Sequence, residues 1–153
     1  MAVYQSTYDA VRPVGYAGMI ANGETGNRIS RTIEDAAGIA FGKPAFRGAG
    51  DHGVTATPNA ATLMGITIAN YAAPPIAATG VQADIYPQYS TAGILTGGTP
   101  IWVQSSVAVA DGDQAYITAG GAYTNVSTSN TILNGWFFQD TLSAAGLTRL
   151  AKR

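Results

Sequence analysis

The later half of the chain is cut into segments too short for any long helix. Apolar and β-branched runs recur at Ala83–Tyr86, Ala92–Leu95, Pro100–Gln104, Gln114–Thr118, Ala122–Val126, Ile132–Phe138 and Gly146–Leu150. Turn residues separate them, at Gly97-Gly98, Asp111-Gly112-Asp113, Gly120-Gly121 and Ser127–Asn130. Strand-length runs broken by turn chemistry about every 8–12 residues predict a small all-β domain. Further upstream, Leu63–Ile68 is another β-branched run, and Ile39, Phe41 and Phe46 flank Gly42 and Pro44, which predicts a bent or interrupted strand. The expected fold class is mainly β, an antiparallel β-sandwich or small β-barrel. No exact internal repeat is visible.

Residues 1–37 read differently. They are rich in Gly, Asn, Tyr and charge, and they lack a helical apolar period. Thr32 with Asp35 three residues on offers only a short helix cap, and Gly38 would end that helix within a turn or two. The expectation is an extended N-terminal arm over 1–37 containing one brief turn. A β-rich body over 38–153, closing on a short basic C-terminal end, follows it.

Charge is scarce and uneven. Only 11% of residues are charged, against roughly 25% in an ordinary soluble domain. Residues 48–148 contain no Lys or Arg; their charged side chains are Asp51, Asp84, Asp111, Asp113 and Asp140. The bases fall before and after this stretch. A net charge of −1 argues against sequence-independent nucleic-acid binding, which needs a basic face. With no cysteine, disulfides and thiolate metal sites are excluded. No apolar run approaches the roughly 18 residues of a membrane-spanning helix. The start, MAVYQSTYDAVR, lacks the basic-then-apolar order of a secretory signal, so the chain is expected to be made and used without export through a membrane.

The search for catalytic chemistry finds little. His52, the single histidine, follows Asp51 directly, whereas catalytic partners meet in space and rarely as neighbours in sequence. Asp111-Gly112-Asp113 lacks the further ligands and closing Glu of a calcium loop, so a tight hairpin turn is expected. Gly48, Gly50 and Gly53 spell G-x-G-x-x-G, but the β-like, proline-stopped Val54–Pro58 follows where a nucleotide fingerprint would open a helix. No catalytic, cofactor-binding or metal residue is assigned, and no cofactor is expected. Trp102, Trp136, Phe137 and Phe138 are expected in the core.

Tyrosines in an arm without a core of its own suggest docking on a neighbour, since the ring is apolar and the hydroxyl hydrogen-bonds. The candidate interface residues are Tyr4, Tyr8, Arg12, Tyr16, Arg28, Arg31, Arg149, Lys152 and Arg153.

With these residues in view, the chain resembles the structural cement, or decoration, proteins of tailed-bacteriophage heads. The matching segments are Pro13–Ile20 (PVGYAGMI), Asn27–Thr32 (NRISRT) and Ile39–Pro44 (IAFGKP). Later ones are Gly93–Val103 (GILTGGTPIWV), Ala110–Ile117 (ADGDQAYI) and Ala144–Arg153 (AAGLTRLAKR). The resemblance implies a mainly β virion protein on the outer capsid surface, without catalytic residues. Its implied partners are the major capsid protein and sister copies in a homo-oligomer, trimer favoured over dimer, with neither nucleic acid nor membrane. The competing expectation is a carbohydrate-binding β-domain of a phage fibre or adhesin, resting on Trp102, Trp136 and the body tyrosines.

Overall fold

A computed structural model describes residues 14–70 and 84–153. It contains the strands β1 (Asn27–Ile33), β2 (Ile39–Ala40), β3 (Pro44–Arg47), β4 (Gly53–Thr55), β5 (Leu63–Thr67) and β6 (Ile85–Tyr86). These are followed by β7 (Thr91–Gly97), β8 (Ile101–Ser105), β9 (Gln114–Ile117), β10 (Tyr123–Thr124), β11 (Thr131–Phe138) and β12 (Gly146–Lys152). The only helical element among the described residues is a single 3-10 turn, Ala60–Thr62, capped by the Asn59 side chain.

The strands close into two five-stranded barrels, β1-β4-β3-β5-β7 and β10-β8-β12-β11-β9, with β2 and β6 forming a separate ribbon. Both barrels follow one path. The first strand in each lies parallel to the third (β1 with β4, β8 with β10). The third pairs antiparallel with the second, the second with the fourth, the fourth with the fifth, and the fifth returns to the first. The mainly β expectation holds, in its barrel form and in duplicate. Each barrel departs from pure antiparallel pairing at the one parallel seam that closes it, which removes the exposed strand edge.

The arm expected over 1–37 needs correction within its described part. Asn27–Ile33 is strand β1, paired along its length with β7. Its two arginines and polar residues hid a strand in which Ile29 and Ile33 face inward beside Ile94. Thr32 caps no helix: its N–H donates to the His52 carbonyl at 2.9 Å. The brief turn is Asp35–Gly38, closed by a 2.9 Å bond and ended by Gly38 at φ 74°.

Upstream of β1, residues 18–21 strap the two barrels together. Gly18 N–H donates to the Trp102 carbonyl and Trp102 N–H to the Met19 carbonyl, while Ala69 N–H donates to the Gly18 carbonyl. Ile20 bridges to Ile101. The strap thus occupies the part of β8 that the short β10 leaves uncovered.

The inner faces alternate as strand geometry requires. On β8, Ile101, Val103 and Ser105 are buried and Trp102 and Gln104 are not. On β11 the alternation slips by one position: Leu133 is buried, then Trp136 and Phe138. Gly135, at φ 80°, sits within this irregularity. The Gln114 side-chain amide donates to the Leu133 and Trp136 carbonyls, both at 2.8 Å, and satisfies what the bulge leaves open. The slip explains why Phe137, expected in the core with its neighbours, is only half-buried.

The first barrel has its own cluster of Ile33, Ile39, Phe41, Ala45, Val54, Tyr86, Ala92 and Ile94. A second cluster spans both barrels, joining Phe46, Ile66 and Leu95 of the first to Ile101, Trp136, Phe138 and Leu150 of the second. A shared core makes the pair one packed body. The Tyr123 hydroxyl of β10 adds a buried bond, donating to the Gly42 carbonyl at 2.7 Å, and burial raises its pKa well above the ordinary phenol value.

Candidate interaction surface

The glycine-rich loop after β3 is an anion cradle that the chain fills itself. Ala49 N–H and Gly50 N–H each donate to the Glu34 carboxylate at 2.8 Å. Side chains at Gly48 or Gly53 would collide with that carboxylate. The spacing that imitates a phosphate loop therefore serves an internal glutamate. Asp113 likewise is committed, accepting from Ala110 N–H at 2.9 Å and from the Asn125 side chain at 2.7 Å within the expected tight turn. His52 lies on an exposed turn.

Tyr4, Tyr8 and Arg12 lie outside the described residues. The rest of the expected interface set divides into two neighbourhoods. The first centres on Trp102. Gly15 lies against its indole, so closely that a methyl group there would overlap the ring, and Tyr16 follows at 42% exposure. The Arg149 guanidinium stands 5.6 Å from the ring centroid and makes an ion pair with Asp140. The indole N–H is buried without an acceptor among the described residues. Trp102 is half-buried with Gly15 and Arg149 against its ring, and Trp136, at 1% exposure, offers no open stacking face to a sugar.

The second neighbourhood forms where the start of β1 meets the end of β12. Asn27 pairs with Gly97, and the aliphatic stem of Lys152 lies over Gly97 and Gly135. Arg153 donates to the Gln139 side chain at 2.9 Å and stands 4.0 Å from the Glu24 carboxylate. Arg28 is exposed one residue along β1. Arg31 is half-buried and donates to the Ser30 carbonyl at 2.9 Å.

The Arg149–Asp140 pair carries a pH signature. The side-chain hydrogen bond from Arg149 is the main cause holding the Asp140 carboxyl below its usual value, against the opposing effect of burial. A carboxyl depressed by folding stabilises the fold above its unfolded pKa, and that contribution disappears as pH falls through the lower folded value. Asp140→Asn should therefore lose less stability than wild type between about pH 5 and pH 2. Urea midpoints across that range check it; parallel pH curves would show that the pair contributes nothing.

Lys43 went unmarked in the sequence, although it is a lone cation inside the apolar run 39–46. It stands half-buried between the barrels, with Nζ donating to the Gly121 carbonyl at 2.5 Å and lying 5.6 Å from the Tyr123 ring centroid. Burial lowers its pKa. Beside it is a cavity of about 190 Å³ lined by Gly38, Ile39, Ala56, Ile117, Gly120 and Gly121.

Comparison with known families decides what this surface belongs to. Residues 4–152 match the family described as structural cement protein (E217 gp24/Pam3 gp6). The chain belongs to the phage structural cement family. A solved chain from the capsid of Myoviridae phage XM1 has the same fold, with a TM-score of 0.69 at 16% identity, covering 99% of this chain and 98% of that one. Comparison with curated proteins gives no significant sequence match. Family membership makes this cement protein a structural component of a phage virion, with a role in decorating the capsid.

Proposed function

We propose that this cement protein coats the outer face of the phage head and locks neighbouring capsomers, acting as a homo-oligomer, a trimer in preference to a dimer, without catalysis. The observation that carries the reading is the family match over nearly the whole chain. The architecture supports it: the anion cradle and the Asp111–Asp113 turn are occupied by the chain's own groups, and two barrels on a shared core make a rigid spacer. A ligand of the assembled state alone stabilises that state by mass action, and many copies per shell multiply the effect. Residues 1–13, with Tyr4, Tyr8 and Arg12, are assigned to the reaching arm, and the exposed bases at Arg28, Lys152 and Arg153 to acidic capsid surface.

The test uses expanded heads lacking the protein. Adding it should raise their melting temperature, and the added protein should co-sediment with them. A version truncated before Val14 should keep the melting temperature of the free body yet bind heads less tightly. The cut must stop there, because residues 18–21 belong to the strap. Heads that neither bind the intact protein nor gain stability from it would refute the reading.

A further inference from the structure

The ammonium of Lys43 has three donors and one oxygen acceptor among the described residues, the Gly121 carbonyl. No carboxylate lies within 4.0 Å of it there: the ion pairs are Arg149–Asp140 and Arg153–Glu24. Partial burial of a cation without a counter-charge is unfavourable, and a carboxylate entering the adjacent cavity removes that penalty. The cavity continues into a wider cleft of about 510 Å³, with Gly38, Ala56, Gly120 and Gly121 in the walls of both. The shared walls are glycine and alanine, which let the backbone of an incoming turn approach closely, and the one carboxylate of the wider cleft, Asp35, is already engaged by the Thr55 hydroxyl and Ala56 N–H.

The chain itself offers the complementary group. Of its exposed turn carboxylates, Asp111 already lies within electrostatic range of Arg149, and Asp84 is held on the β2–β6 ribbon beside the cavity, its carbonyl accepting from Phe41 N–H at 2.8 Å. Asp51 has neither a hydrogen bond nor an ion pair among the described residues and stands exposed in the turn closed by Gly53 N–H to the Gly50 carbonyl, 3.1 Å. That turn is held in shape by Glu34 through Ala49 and Gly50. Lys43 and Asp51 lie beyond opposite ends of β3, a separation of roughly 13 Å of strand plus the turn. A copy therefore cannot satisfy its own Lys43, whereas a neighbour can.

We propose that the cavity beside Lys43 is a socket for the Asp51 turn of a second copy of this chain. The contact is head-to-tail, so repeated around a closing rotation it makes a ring. The inference rests on the homo-oligomer reading above and specifies its interface.

The experiment measures the solution mass of the intact protein at low salt across a dilution series, for wild type, Lys43→Glu, Asp51→Lys and the double reversal. Wild type should be oligomeric, each single reversal should weaken association roughly a hundredfold, and the double reversal should restore it. Lys43→Met, which removes the charge while keeping an apolar stem, should also associate more weakly; it decides the case if the glutamate variant fails to fold. A wild-type monomer would overturn the homo-oligomer reading and the socket with it. An oligomeric wild type with unchanged single variants would overturn the socket alone. So would a Lys43→Glu protein of unchanged mass that no longer binds heads, which would give the socket to an acidic side chain of the shell.

Discussion

Replacing Phe46 with alanine should destabilise the protein by about 3–5 kcal/mol, and the loss should reach both barrels. Phe46 sits on β3 of the first barrel and is fully buried. Its cluster, however, is the one that crosses to Ile101, Trp136 and Phe138. Truncation removes the transfer energy of a large apolar side chain and leaves a cavity that closed barrels can collapse around only in part. The chain's two tryptophans, Trp102 and Trp136, are both in the second barrel. Tryptophan fluorescence therefore reads the barrel that does not contain the mutation. In urea, its midpoint should shift with that of far-ultraviolet circular dichroism. A fluorescence midpoint that stays in place while the dichroism midpoint falls would show that the barrels unfold independently and that the shared core does not couple them.

Gly65→Ala should have an effect at least as large. Gly65 lies within β5 at φ 152°, where side chains are disfavoured. A methyl group there would stand 2.1 Å from the Leu95 carbonyl oxygen, a backbone atom that cannot swing away. Leu95 pairs with Ile66, so relief would require opening the β5–β7 seam of the first barrel. Gly112→Ala is the matched control. It also has positive φ, 89°, but nothing within 4 Å of the new methyl group, so it should cost about 1 kcal/mol from conformation alone. Thermal melting of the two variants separates the terms. Equal melting temperatures would mean that β5 and β7 are not so closely apposed.

Local signals carried much of the fold. The segments read as strands from Ala92 onward coincide with β7 through β12 to within a few residues, because alternation and turn glycines are properties of neighbours in sequence. What escaped depends on distant partners. β1 looked like an arm because Arg28, Ser30 and Arg31 dilute its apolar positions; only the pairing with β7 makes it a strand. The parallel seams, and with them the twofold use of one path, are invisible to local pattern because β1 and β4 share no sequence signal. The phase slip in β11 depends on Gln114, seventeen residues before that strand begins.

The interface candidates show the same division. Composition located bases at the two ends of the chain, and β1 and β12 bring Asn27 and Lys152 to the shared Gly97, with Arg28 next along β1 opposite Leu95. Arg149, however, is committed to Asp140 and the Trp102 ring, which no charge count reveals. Lys43 became conspicuous only once the second barrel supplied Gly121 and Tyr123 around it.

The strap also sets a timetable for synthesis. Gly18, Met19 and Ala21 bond to residues 100–102, some eighty positions later in the chain. At roughly 5–20 residues per second, the ribosome needs several seconds to deliver that partner. Throughout that interval the strap has no β8 to pair with, and β1 waits similarly for β7. Residues 18–33 therefore wait for partners made about sixty to eighty positions after them.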